Sequence, residues 1–316
     1  MEKIYKMELS NCVTCDNSDI AFRNERMSRG ITGIAKVPFK LFECRSCRTV
    51  FINPRPTKNF LENIYSKSGH SLLEPISLEK VNQMEEEYPN GSVDGKRMVA
   101  VAYELLQGQI ENNERKLKAL DIGSGYGFFS VAAINSGFDV TAINPSVWEN
   151  DIYEQINGFR PIQKFFEDVT FSDRFDLVIL SQVLEHIDNP LALLKRIRNI
   201  MNPKGILIVA VPNLDSYLVK AGKDGGVFWI PEHLTCFSKK GLVLLLQRAG
   251  FKVQKATCFS RFPYFAVSNK FGLKGTPRRL CNFLVKVLQV IPLRIFDQIG
   301  WGGTLNAWVS PDNRSH

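Results

Sequence analysis

Residues Lys118-Ala-Leu-Asp-Ile-Gly-Ser-Gly-Tyr-Gly-Phe-Phe-Ser130 decide the fold. A short apolar strand (Ala119, Leu120, Ile122) meets three glycines at alternate positions, Gly123, Gly125 and Gly127. An apolar stretch from Phe128 to Ile134 then reads as a helix. Such a turn lets the backbone fold sharply and approach a ligand, with helix N–H groups free beyond it. Asp121 ends the strand, where its charge would repel a dinucleotide's phosphates but suits a ligand bearing an ammonium group or hydroxyls.

Outward from this stretch the chain alternates strand and helix. Strands read at residues 118–122, 139–143, 175–181 and 205–211, and helices at 128–136, 147–155, 190–201 and 239–249. Leu177-Val-Ile-Leu180 and Ile206-Leu-Ile-Val-Ala-Val211 are continuous apolar runs, as a parallel sheet covered on both faces requires. The expected fold is α/β, with a doubly wound, mostly parallel, seven-stranded sheet, its ligand at the carboxyl ends of the strands. A sixth strand reads near 253–259 and a last one near 304–309, with a helical insertion at about 263–302 between them.

The N-terminal part reads differently. Cys12-Val-Thr-Cys15 and Cys44-Arg-Ser-Cys47 form two C-x-x-C knuckles, which together offer four soft ligands to a tetrahedral metal, Zn²⁺ foremost. Disulfides are disfavoured because no secretion signal is read at the N-terminus, and a redox pair would need one knuckle, not two. Four thiolates leave no open position, so the expected zinc is structural. Cys236, Cys258 and Cys281 read as small core residues. The expected organisation is a zinc-ribbon-like module over 1–57, a helical linker or cap over 58–110, and the α/β domain over 111–316.

Charge is uneven. Residues 1–60 carry a net +5, residues 261–316 a net +6, and the middle a net −3. Basic flanks suit an anionic partner or are ordinary solvated side chains. No apolar run approaches the roughly 20 residues of a membrane span, so the cytoplasm is the expected location.

Three later strand ends match the glycine turn. Ala142-Ile-Asn-Pro-Ser146 ends the second strand, Phe165-Phe-Glu-Asp168 follows an expected short strand, and Ser181-Gln-Val-Leu-Glu-His186 ends the next. In this order, over about residues 95–260, the motifs resemble class I S-adenosylmethionine-dependent methyltransferases. The resemblance implies cofactor contacts at Asp121, Gly123, Ser124, Gly125, Asn144, Phe166, Glu167 and Gln182. Phe165 and Asp168 are close alternatives in the third loop. The family's second strand usually ends in an acid that holds both ribose hydroxyls. Asn144 departs from this and gives up the charge-assisted pair. His186 either contacts the cofactor or acceptor mouth or ties its turn to a neighbour, with Glu185 as partner.

The paired cysteines followed by Asn53-Pro-Arg-Pro-Thr57 resemble a narrower group, bacterial methyltransferases of sugar and polysaccharide pathways. Phe228-Trp-Ile-Pro-Glu-His-Leu-Thr-Cys-Phe-Ser238 looks like their substrate loop. That likeness implies His233 as general base and Glu232 as its orienting group or a sugar ligand. The competing reading has the pair capping a helix or packing under the loop. The extra C-terminal domain and tyrosine of the sugar C-methyltransferases are not evident. The implied function is methyl transfer to oxygen or carbon of a nucleotide-sugar or glycan precursor, with S-adenosylmethionine and structural Zn²⁺ as cofactors.

Two other functions compete: an RNA methyltransferase gripping RNA through the ribbon and basic flanks, and a non-catalytic protein that keeps the fold. Nucleic acid is the less expected partner, because no base-modifying motif is present. The C-terminal insertion reads as a helical lid or as a basic amphipathic segment meeting a membrane.

Overall fold

A computed structural model describes residues 9–28, 37–57, 59–61, 76–87, 90–107, 115–224, 226–260, 268, 270–288 and 290–313. Parts of the expected helical stretch (58, 62–75, 88–89 and 108–110), the start of the expected α/β domain (111–114) and parts of the expected insertion (263–267, 269 and 289) lie outside the described residues.

Three N-terminal strands come first: β1 (Ile20–Met27), β2 (Pro38–Cys44) and β3 (Val50–Ile52). Helices α1 (Leu78–Glu87) and α2 (Gly91–Gln107) follow. The alternating core then runs β4 (Lys118–Ile122), α3 (Phe128–Asn135), β5 (Asp139–Ile143), α4 (Val147–Asn157), β6 (Phe175–Ser181), α5 (Pro190–Ile200) and β7 (Met201–Pro212). After it come a helical turn α6 (Tyr217–Lys220), the two-residue β8 (Thr235–Cys236), α7 (Lys239–Arg248) and β9 (Phe251–Phe259). Helices α8 (Gly275–Leu288) and α9 (Val290–Gln298) precede the last strand, β10 (Thr304–Pro311).

The main sheet has the order β5-β4-β6-β7-β10-β9. β4 pairs parallel with β5 and β6, and β6 parallel with β7, while β10 is antiparallel to both β7 and β9. The expected seventh strand is reduced to one parallel bridge, Ile143 to Ile162. Pro161 explains the brevity: without an N–H it cannot extend a ladder. The chain reverses its direction of travel across the sheet at β4, so a crevice opens at the carboxyl ends of β4 and β6.

Apolar side chains fill both faces of the sheet. Leu120, Val178, Leu180, Leu207 and Val209 point to one face, with α5 and α7. Ala119, Leu177, Ile179, Ile206 and Ile208 point to the other, with α2 and α3. Each fully buried aliphatic side chain stabilises the fold by about 1.5–3 kcal/mol relative to exposure. Helix α3 has apolar residues on all sides because it is covered twice, by the sheet and by α2. Trp308 in β10 fixes α2 from below by donating its indole N–H to the Met98 carbonyl at 2.9 Å.

The N-terminal strands form a second, antiparallel sheet in the order β1-β2-β3-β8. Its last strand comes from far along the chain, so this sheet is continuous with the loop that follows β7. Arg55, 3% exposed, ties the two by donating to the Leu234 carbonyl (2.6 Å) and the Thr235 hydroxyl (2.9 Å). Burial lowers its pKa to about 10, countered in part by Asp188 at 3.8 Å.

Candidate active site

The glycine turn lies at the C-terminal end of β4. Gly123 has φ +66° and its N–H donates to the Ile143 carbonyl at 2.8 Å. A Cβ there would come within 2.5 Å of a Val183 methyl, so only glycine fits between the two strand ends. Gly125 (φ +52°) faces open space, with no heavy atom within 4 Å of a notional Cβ. Ser124 presents a buried hydroxyl with no hydrogen-bond partner among the described residues. Asp121 is fully buried and accepts a 2.7 Å hydrogen bond from the Ser130 hydroxyl. Burial raises its pKa to about 6.

Asn144 ends β5 and is completely buried. Its Nδ2 donates to Glu149 Oε2 at 3.0 Å, and its Oδ1 is buried without a partner. Glu149 is the third residue of α4 and only 5% exposed. Its charge raises the pKa of Tyr126 in the glycine turn, second to burial of that phenol. A carboxylate thus stands between the end of β5 and the glycine turn, five residues from its expected position. In sequence it reads as an ordinary acid in the first turn of a helix, so the strand-end pattern alone does not flag it.

A cavity beside the turn is lined by Ile122, Gly123, Pro145, Phe165, Phe166 and Glu167, among others. Of the two expected aromatic residues, Phe165 is 40% exposed, while Phe166 is buried, stacked on Phe171 at 6.1 Å and beneath the Arg196 guanidinium. Phe165 therefore offers the freer ring face. The chain supplies open backbone, unpaired polar atoms and an apolar slot, and this donor set fits the adenosine and methionine parts of S-adenosylmethionine.

A second cavity opens on the other side of His186, which lines both. Its walls include Gln182, Glu185, Trp229, Glu232 and His233. Gln182 holds a left-handed φ of +56°, a strained conformation for a non-glycine residue at a strand end. His186 and His233 meet edge to face at 4.8 Å, and Trp229 stacks on His233 at 5.8 Å. Each imidazole is held by Nδ1 near a backbone carbonyl: His186 to Glu232 (3.0 Å) and His233 to Val227 (2.9 Å). With Nδ1 donating, the neutral ring carries its basic lone pair on Nε2. The Glu232 carbonyl thus meets the His186 ring, and the Val227 carbonyl meets the His233 ring.

Glu185 was legible only as a neighbour of His186. It is fully buried, and neither carboxyl oxygen has a hydrogen-bond partner among the described residues. Burial pushes its pKa up to about 8. Its Oε1 lies 3.9 Å from Nε2 of His186, and the ligand atoms of Glu185, His186 and His233 fall within 4.8 Å of one another.

The four knuckle cysteines converge in the N-terminal sheet. Cys12 and Cys47 sulfurs are 3.5 Å apart, Cys15 and Cys44 sulfurs 3.6 Å, and all four lie within 4.8 Å of one another. A tetrahedral Zn²⁺ with bonds of about 2.3 Å sets its sulfurs about 3.8 Å apart, so the cluster fits that ion. The Cys12 thiol and the Thr14 and Thr49 hydroxyls hold the Cys47 thiol well below its ordinary pKa. Cys236 and Cys258 are buried in apolar clusters.

A methyltransferase-domain family model matches residues 96–256, half of the chain, and the chain belongs to that family. Among curated relatives, the ubiquinone biosynthesis O-methyltransferase of Histophilus somni is 27% identical over 157 residues, covering 45% of this chain and 65% of the relative. That of Rickettsia prowazekii is 29% identical over 136 residues, covering 40% and 54%. The chain thus spans between half and two thirds of these relatives' length. A chain from the complex between the Haloferax volcanii Trm112 methyltransferase activator and the putative methyltransferase superposes with a TM-score of 0.50 at 15% identity, covering 76% and 96%. That likeness concerns the fold. The relatives' names point to small-molecule O-methylation, not to the sugar pathways suggested by the sequence resemblance.

Proposed function

We propose that the protein is an S-adenosylmethionine-dependent methyltransferase acting on a hydroxyl of a small polar acceptor, with a sugar or glycan precursor as its class. One observation carries the reading. His186 separates an apolar slot beside the glycine turn from a polar cavity in which two imidazoles, a buried carboxyl group and an indole face converge. Glu232 can meet sugar hydroxyls there, beside Gln182 as a contact to the methionine part of the cofactor, and the Trp229 face suits the apolar face of a pyranose.

Bound S-adenosylmethionine supplies an electrophilic methyl group on a sulfonium. The glycine turn and the Ser124 hydroxyl would receive its methionine part, Phe165, Phe166 and Glu167 would flank adenine, and the Asn144–Glu149 pair would receive ribose. Nε2 of His233 would take the proton of an acceptor hydroxyl aligned with the methyl group that the cofactor would supply. The carbonyl of Val227 takes the Nδ1 hydrogen bond that holds this tautomer. The four cysteines would hold a structural zinc, which would stiffen the second sheet and so the loop carrying His233.

S-Adenosylhomocysteine release on a panel of nucleotide-sugars tests this. His233→Ala is expected to lower kcat by roughly 10²- to 10⁴-fold and to leave the product's Kd unchanged. Full activity in that variant would remove His233 as the base. Absence of S-adenosylhomocysteine binding by the zinc-loaded protein would remove the enzyme reading itself.

A further inference from the structure

Helices α8 and α9 present an apolar outer surface to solvent. Phe271 is 68% exposed, Leu288 73% and Ile291 70%, and Leu280, Phe283 and Ile299 are each more than half exposed. Exposed apolar side chains in such number mark an interaction surface. The charge within residues 270–301 has one sign, with six Lys or Arg against a single acid, Asp297. Lys270, Lys274, Arg279 and Arg294 are exposed, while Asp297 is half-buried and its carboxyl pKa is raised by that burial. The inner side of the pair is already used. Phe296 stacks on Tyr217 at 4.8 Å, and Asn213 Nδ2 donates to the Gly300 (3.1 Å) and Gly302 (2.6 Å) carbonyls.

We infer that this helix pair docks the protein on an anionic lipid bilayer, with the apolar side chains in the acyl boundary and the basic ones among the headgroups. A second copy of the chain would satisfy the apolar side chains but would set two strongly basic surfaces against each other. An anionic bilayer satisfies both features. The same surface ends beside the polar cavity: Gly302, held by Asn213, precedes Gly303 and Thr304, which line it. Docking would therefore set the acceptor cavity close to the membrane plane.

Sedimentation of the zinc-loaded full chain with sucrose-filled vesicles, of phosphatidylcholine alone or with phosphatidylglycerol, tests the inference. Binding is expected with phosphatidylglycerol and is expected to weaken at high salt. Lys274→Glu and Arg279→Glu should each lower partitioning roughly fivefold or more, and Leu288→Glu with Ile291→Glu should abolish it. All four positions lie outside the candidate active site, so S-adenosylhomocysteine binding should persist and reports that each variant is folded. Failure of the parent protein to sediment, or equal binding by parent and variants, would overturn the inference. So would a dimer in light scattering that Leu288→Glu converts to monomer, since the surface would then be a self-association face.

Discussion

Asn144 is the residue at which the family pattern breaks, and its hydrogen bond to Glu149 sets a carboxylate beside that strand end. A strand-end carboxylate and a helix-borne carboxylate held by an amide place the same charge in the same crevice. Glu149→Gln is therefore expected to weaken S-adenosylhomocysteine binding roughly 10- to 100-fold, the worth of a charge-assisted hydrogen bond. Asn144→Asp combined with Glu149→Gln should recover most of that loss in a calorimetric titration, because the charge returns to the strand end. Equal affinity in the parent and Glu149→Gln would exclude the carboxylate from the ribose site. Glu185 gives a second test at this scale. Burial raises its pKa from an ordinary 4.5 to about 8, so the folded state favours its neutral form. The stability it contributes is fully present below about pH 4.5 and is lost as pH rises towards 8, by about 1.4 kcal/mol per pH unit at most. Urea unfolding should show this slope in the parent and a flatter one in Glu185→Gln.

Among the elements, β4 and its turn were readable because several local signals coincide: an apolar run, three spaced glycines and an apolar helix. The long strands β6 and β7 were readable for a similar reason, since burial on both faces leaves few polar positions in either. The second sheet was only half legible. Its first three strands lie near the cysteine knuckles, but β8 is two residues long and carries no periodicity of its own. It pairs with β3 through Val50 to Cys236 and Phe51 to Thr235, a contact set by tertiary structure. The second sheet thus joins the strands of the expected ribbon-like module to the loop bearing Glu232 and His233. Glu185 was missed as a site residue for a related reason. Its sequence neighbours disclose the turn but not the burial that leaves its carboxyl oxygens without a hydrogen-bond partner among the described residues. Arg55 is a buried side chain that helps to join the two parts, and Arg55→Met should cost about 2–4 kcal/mol by leaving the Leu234 carbonyl and Thr235 hydroxyl without its hydrogen bonds. In a chemical denaturation curve the loss should appear in one transition if the sheets unfold together. Two separated transitions would make them independent units.

At the scale of the whole molecule, the cysteine cluster and the candidate active site are linked through hydrogen bonds that cross the sequence. The Ser238 hydroxyl donates to the Cys47 carbonyl, and the Arg248 guanidinium donates to the Thr14 carbonyl at 2.7 Å. Both carbonyls belong to the knuckle regions, while Ser238 and Arg248 flank α7, directly after the His233 loop. Metal binding at the cysteines is therefore expected to stabilise that loop as well as the ribbon, since metal affinity is folding free energy where the site is not preformed. The protein should contain one zinc per chain by elemental analysis, and Cys47→Ser should lose it. The melting temperature should then fall by roughly 10 °C, the shift that several kcal/mol produce in a domain of this size. The distinguishing measurement is catalytic. If zinc acts only by holding the second sheet, Cys47→Ser assayed well below its melting point should keep S-adenosylhomocysteine affinity, because the glycine turn and Glu149 follow strands β4 and β5 of the main sheet. Its KM for the acceptor should rise, because Trp229 and His233 hang from the sheet the metal braces. Loss of cofactor affinity without a change in acceptor KM would place the coupling elsewhere in the molecule.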